Sequence, residues 1–194
     1  MAGQHPSKPA APRARPGVSS RPAAPPRRLP SFVALDFETA NRERDSACAL
    51  ALVRVEEGRV TQRVSRLIRP PTRVFEFTYL HGIDWRRVSG EPTFAELWPS
   101  LLPVFAGVDF IAAHNAGFDR GVLAACSARA GFPDLALPFE CTMKLARATW
   151  SLYPTTLKHV ADFLGVPLQH HDAASDAEAC ARIVLAAAKV QRAA

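Results

Sequence analysis

Ser31–Phe37, SFVALDF, is the stretch that decides the fold. It is an apolar run that reads as a buried strand, and it ends in Asp36-Phe37-Glu38. Strand alternation points Asp36 and Glu38 to one side of the sheet and Phe37 to the other. Downstream, Ala47–Val55 (ACALALVRV) reads as a second strand and Val60–Ile68 (VTQRVSRLI) as a more polar third. Glu57-Gly58 is the turn between them, and links this short predict an antiparallel meander. Residues 69–91 read as a long loop carrying Phe75, Phe77 and Tyr79.

Helical patterns then dominate. Thr93-x-x-Glu96 is a capping box ahead of an apolar stripe of Phe94, Leu97, Trp98, Leu101 and Leu102. Pro99 and Pro103 shorten or kink that helix. Val108–Ala113 is a fourth strand, and Phe118–Ala130 is a helix closed by Gly131 and Pro133. Phe139–Thr142 is a fifth strand leading into a helix near Met143–Thr149. Thr156–Leu164 is a helix ended by Gly165, and Asp172 or Ser175 starts the last helix, which runs to about Val190. The order βββ-α-β-α-β-α-α-α describes an α/β domain over 31–194 with a mixed sheet flanked by helices.

Upstream, residues 1–30 hold eight of the 17 prolines and few large apolar residues, so this segment reads as a disordered tail. It has no apolar core of the kind a signal peptide needs. Lys8, Arg13, Arg15, Arg21, Arg27 and Arg28, with no Asp or Glu among them, account for the whole net charge of +6. The basic pI therefore belongs to the tail, and the domain is neutral. No apolar run approaches the ~18 residues of a membrane span. Cys48, Cys126, Cys141 and Cys180 lack C-x-x-C spacing, which argues against a disulfide scaffold or zinc ribbon and for reduced thiols in a cytoplasmic protein.

Three short segments could carry chemistry. Asp36-x-Glu38 places two carboxylates side by side, where they repel unless a cation lies between them. Hard divalent ions such as Mg²⁺ and Mn²⁺ take such oxygen ligands. His114-Asn115-Ala116-Gly117-Phe118-Asp119 follows a strand and opens a helix, with Asp119 in the first turn where the helix dipole favours an anion. His171-Asp172-Ala173-Ala174-Ser175-Asp176 straddles the start of the last helix. Five residues span about 140° of a helix, so His171 converges with Asp176 only from the preceding loop. Each segment alone also reads as ordinary polar structure: a solvated strand end, a first-turn Asp, a histidine loop.

In this order the three segments resemble the DEDDh 3′→5′ exonucleases, a family that includes the proofreading epsilon subunit of bacterial DNA polymerase III. Leu80-His81-Gly82-Ile83 and Leu157–Val166 (LKHVADFLGV) resemble further elements of that family, and the likeness covers roughly residues 31–190. The tyrosine branch would need Tyr four residues before the last Asp, where Asp172 stands. The resemblance implies a ribonuclease-H-like fold. It implies Asp36, Glu38, Asp119 and Asp176 as ligands of two divalent metal ions, Mg²⁺ or Mn²⁺, with His171 as general base. Thr39, Ala40, His81, Asn115 and Phe118 are the implied substrate contacts. The implied partner is a nucleic acid 3′ end, single-stranded DNA first, with RNA trimming as the alternative and a non-catalytic binding module as a third reading. The epsilon subunit binds its polymerase through a long C-terminal extension. This chain stops at Ala194, so polymerase association through such a tail is not expected.

Overall fold

The computed structural model describes residues 29–193. The tail expected over 1–30 lies outside them except for Leu29 and Pro30. Five strands, β1 (Phe32–Thr39), β2 (Ala47–Glu56), β3 (Arg59–Leu67), β4 (Phe110–Ala113) and β5 (Phe139–Cys141), form one mixed sheet in the order β3-β2-β1-β4-β5. β1, β2 and β3 are the expected antiparallel meander. β4 lies parallel to β1 and β5 parallel to β4.

The loop expected over 69–91 instead contains two one-turn helices, α1 (Thr78–His81) and α2 (Trp85–Val88). Single turns are too short to display a 3.6-residue period. The Asp84 side chain caps the second by accepting from the Arg87 N–H. α3 (Phe94–Leu101) opens on the complete Thr93/Glu96 capping box. It tightens into a 3₁₀ turn, Leu102–Phe105, with Pro103 in its first turn. α4 (Gly117–Ala130), α5 (Thr142–Trp150), α6 (Leu157–Leu164) and α7 (Ala173–Ala193) complete the chain.

Alternation along β1 sorts the core into two layers. Val33, Leu35 and Phe37 face a cluster with Trp98, Phe105, Val122 and Leu123 from α3, the 3₁₀ turn and α4. Phe32 and Ala34 face the other cluster, with Val160 of α6 and Ala177, Ala181 and Ile183 of α7. Asp36 and Glu38 continue the second face. The buried alanines of α7 (Ala173, Ala177, Ala181) let its axis come close to the sheet, which brings the helix start to the end of β1.

The last helix could start at Asp172 or Ser175, and the structure selects Asp172. Its carboxylate accepts from the Ser175 N–H, and its carbonyl accepts from the Asp176 N–H. Ser175, which with Glu178 three residues on has the spacing of a capping box, does not cap the helix. The Ser175 hydroxyl instead accepts from the Gln169 N–H, while Glu178 pairs with Arg63 and Arg182.

Candidate active site

β1 delivers Asp36 and Glu38, α7 delivers Asp176, and α4 delivers Asp119. Oxygen atoms of Asp36, Glu38 and Asp176 all lie within 4.8 Å of one another. Asp119 is buried beside them, with Oδ1 accepting from the Phe37 backbone N–H at 3.1 Å. That bond ties α4 to β1 between the two strand carboxylates. All four acids line one cleft of about 490 Å³, together with Asn115, Phe118, His170 and His171.

The α4 and α7 carboxylates are each presented after a left-handed residue. Asn115 (φ 64°) precedes α4 and His171 (φ 66°) precedes α7. Non-glycine residues occupy this region infrequently, Asn and His more readily than most. His171 therefore sits in the loop, as convergence with Asp176 requires. Its backbone N–H donates to Asp176 Oδ2 at 3.2 Å. The side chain facing that oxygen is His170, with Nδ1 at 3.1 Å, and the two imidazoles stack at 3.9 Å between centroids.

The electrostatics are those of crowded, buried anions. Burial, then Asp119, Asp176 and Glu38, raise the Asp36 pKa well above the carboxylate range. Burial, then Asp176 and Asp119, push Glu38 up to about 8. Asp119 rises to about 7 through burial, against the opposing Phe37 N–H. Asp176 is raised by burial and eased by His170. Burial and the His170 ring lower His171, which favours its neutral form.

These residues fit divalent cations. Among the described residues, Asp176 Oδ1 is buried with no hydrogen-bond partner. A carboxylate oxygen without a donor is costly unless a cation satisfies it. The three groups within 4.8 Å of one another are all carboxylates, and oxygen ligands suit hard ions.

The five expected substrate contacts fall into two groups. Asn115 and Phe118 line the cleft, and Phe118 is 39% exposed. Thr39, Ala40 and His81 do not. Thr39 and Ala40 are buried, and the Ala40 carbonyl accepts from the Glu76 and Phe77 N–H groups. His81 Nε2 donates to the Thr39 carbonyl and its Nδ1 accepts from the Ile83 N–H, so both ring nitrogens brace the segment after β1. Phe75 packs against the small cluster of Ala40, Cys48, Ala49, Ile83 and Val88, while Tyr79 is exposed. His114 is a clamp. Its Nε2 donates to the Thr155 carbonyl and Nδ1 accepts from the Thr142 hydroxyl, with its pKa driven down to about 4 by burial.

The opposite wall went unseen in the sequence. Met143 and Arg147 of α5, then Tyr153, Thr155 and Thr156, line it. Arg147 donates to the Thr155 hydroxyl at 3.1 Å. No short motif marks these residues, because the His114–Thr155 bond that folds them over the carboxylates spans 41 positions.

A family description, "Exonuclease", matches residues 33–184. The chain is 31% identical over 158 residues to the PolC-type DNA polymerase III of Clostridium perfringens, an alignment covering 79% of this chain and 11% of that protein. The chain thus spans about a ninth of that relative's length. It is 30% identical over 163 residues to the epsilon subunit of DNA polymerase III from Aquifex aeolicus, covering 80% of this chain and 79% of the relative. The solved nuclease domain of 3′hExo, a DEDDh family member bound to rAMP, superposes with a TM-score of 0.72 at 14% identity. That match covers 83% of this chain and 92% of the other, and it shows the shared fold. Family match, fold and buried carboxylate cluster agree: the chain belongs to the exonuclease family, in its DEDDh branch.

Proposed function

We propose that this protein removes nucleotides from the 3′ end of single-stranded DNA, releasing nucleoside 5′-monophosphates, in proofreading or repair. The observation that carries the chemistry is the cluster of Asp36, Glu38 and Asp176 around a carboxylate oxygen that lacks a donor. The preference for DNA rests on relatives that are DNA polymerase III proteins. RNA trimming is the second reading, favoured by the rAMP held in the 3′hExo structure. DNA and RNA differ at the 2′-OH, so matched oligonucleotides of the two kinds decide between the readings.

Asp36, Glu38, Asp119 and Asp176 would hold two ions, Mg²⁺ or Mn²⁺. Two such ions supply Lewis-acid stabilisation of the attacking and leaving oxygens. The chain's own residues do the rest. Neutral His171 accepts the proton of the attacking water at an imidazole nitrogen. His170 Nδ1 and the His171 N–H fix Asp176 Oδ2, and the Phe37 N–H fixes Asp119, so these carboxylates need little reorganisation during turnover. Phe118 offers an exposed ring for the terminal base.

The test is direct. Oligonucleotides labelled at the 5′ end, DNA and RNA of one sequence, are incubated with the full-length protein and Mg²⁺ or Mn²⁺. A ladder shortening from the 3′ end is expected, faster on DNA, and none in EDTA. Full activity in the chelator removes the metal assignment, and a faster RNA ladder reverses the substrate order.

Two further expectations concern the rest of the chain. No helix among the described residues is long and apolar enough to cross a membrane. Cys48, Cys126, Cys141 and Cys180 are free, as a reducing cytoplasmic compartment would keep them. Deleting residues 1–30 should leave kcat on short oligonucleotides nearly unchanged, since no proposed ligand lies there. Binding to long substrates should weaken and its salt dependence flatten as the phosphate-neutralising charges of the tail disappear. A large fall in kcat on a short oligonucleotide would show that the tail reaches the site.

A further inference from the structure

Several arginines near Arg44 are neutralised. Arg42 pairs with Glu76, Arg129 with Asp45 and Arg69 with Glu96. Arg44 is exposed and forms no ion pair with a carboxylate among the described residues. Its Nη1 donates to the Phe118 carbonyl at 3.2 Å, and its guanidinium lies 6.0 Å from the Phe118 ring centroid. The seat for it is built into α4. A Cβ placed on Gly121 would stand 2.1 Å from Arg44 Nη1 and 2.8 Å from Cζ, so any other residue there displaces the guanidinium from this position. Glycine inside a helix costs about 1 kcal/mol relative to alanine, and close approach of another group is a reason to retain it.

The held group is thus a cation on the rim of an acidic cleft, stacked on the one aromatic of α4 that lines it. The carboxylates would hold the metal ions that take the scissile phosphate, which leaves the next phosphate to the rim. A guanidinium that donates once to a neutral carbonyl keeps other N–H groups for an anion, and its planar fork matches a phosphodiester. Arg147, which likewise donates to a neutral oxygen, the Thr155 hydroxyl, lines the opposite wall.

We propose that Arg44 is a substrate-positioning residue that grips the phosphodiester immediately 5′ of the scissile one, with Gly121 as the notch that holds it there. The proposal deepens the exonuclease reading and rests on it. The bound chemistry is a single-strand phosphate, so Arg44 governs affinity for chains longer than one nucleotide and leaves the chemical step at a terminal nucleotide alone.

The experiment uses the full-length protein and a fluorescein-labelled ten-residue oligothymidylate. Binding is followed by anisotropy in Ca²⁺ across a salt series, with hydrolysis in Mg²⁺ followed separately. Arg44→Ala should raise Kd about tenfold, the usual loss for one charge-assisted hydrogen bond. It should flatten the slope of log K against log salt by about 0.7, as one fewer phosphate is neutralised. Arg44→Lys should retain the slope and recover part of the affinity. Gly121→Ala, which keeps the arginine and adds only a methyl group, should also raise Kd. Arg42→Ala, which removes an already paired cation, should change little. Hydrolysis of the p-nitrophenyl ester of thymidine 5′-monophosphate, which has no second phosphodiester, should proceed at the wild-type rate in all four variants. An Arg44→Ala protein with wild-type Kd and salt slope overturns the proposal. So does a Gly121→Ala protein that binds as wild type. Failure of the wild-type protein to shorten the oligonucleotide in Mg²⁺ would overturn the exonuclease reading instead, and the binding series still decides whether Arg44 holds phosphate.

Discussion

Asp36→Asn should abolish turnover and at the same time stabilise the metal-free protein. Asp36 is packed on the α7 face of β1, with Asp119, Asp176 and Glu38 all raising its pKa after burial itself. The amide keeps the shape and removes one of the four anions proposed to hold metal. Lewis-acid stabilisation of a phosphoryl oxygen is worth several kcal/mol, so its loss should cost at least ~10³-fold in rate. A variant of unchanged rate would count decisively against the proposed ligand set.

The stability arm of that prediction has a definite sign. Unfolded carboxyls titrate near ~4. In the fold Glu38 titrates at about 8, Asp119 at about 7, and Asp36 is displaced upward as well. Between these ranges the native state binds more protons than the unfolded one. The stability these acids contribute in EDTA is therefore full below pH ~4 and is lost as pH rises through the folded values. Thermal melts at pH 5.5, 7 and 8.5 should show Tm declining with pH in EDTA and much less with saturating Mn²⁺. Asp36→Asn should flatten the decline in EDTA. At pH 8.5 its Tm should exceed that of the wild type by about 2–4 °C for each ~1 kcal/mol of repulsion removed. A wild-type Tm that rises with pH in EDTA would contradict the burial and crowding of these acids.

The sheet was legible where local signals and tertiary demands agree. SFVALDF is apolar because both faces of β1 are covered, and the Glu57-Gly58 turn leaves β2 and β3 no alternative to antiparallel pairing. The Thr93/Glu96 box appears in the structure as in the sequence because both of its hydrogen bonds are local. Asp172 and Ser175 offered two local solutions for the start of α7. The choice fell to a contact from outside the helix, the Gln169 N–H, which occupies the Ser175 hydroxyl. Thr78–His81 and Trp85–Val88 carry no readable period, and they form because His81 and Asp84 find backbone partners.

The candidate site divides in the same way. Alternation alone predicted that Asp36 and Glu38 share a side, and they do. That Asp119 is held by the Phe37 N–H across 82 positions is a property of the packed sheet and helix, and nothing near Asp119 encodes it. The substrate contacts were carried by family resemblance, and three of them, Thr39, Ala40 and His81, turn out to be tied to backbone or core at the end of β1. The wall of Met143, Arg147, Tyr153 and Thr155 was invisible because it is assembled by the His114 clamp between distant segments.

His171→Ala should lower kcat by ~10²–10⁴-fold, the range for a general base, while metal binding is retained. His170→Ala should act differently. Its ring contacts Asp176 Oδ2 directly, whereas His171 reaches that oxygen only through its backbone N–H, which alanine preserves. Removing His170 should therefore raise the Mg²⁺ concentration needed for half-maximal rate and leave kcat at saturating metal within a few fold. The two effects separate in a metal titration of each variant on one oligonucleotide. The pH profile adds a signature. A general base works deprotonated, so the rate rises with pH through its pKa, and burial beside His170 places that rise below the usual histidine value for His171. The wild type should gain rate through mildly acidic pH and level off near neutrality, and His171→Ala should lose that limb. If His170→Ala instead loses the limb and the kcat, with His171→Ala close to wild type, the ring that faces Asp176 is the base. The five-residue spacing from His171 to Asp176 would then describe a backbone contact and not a proton acceptor.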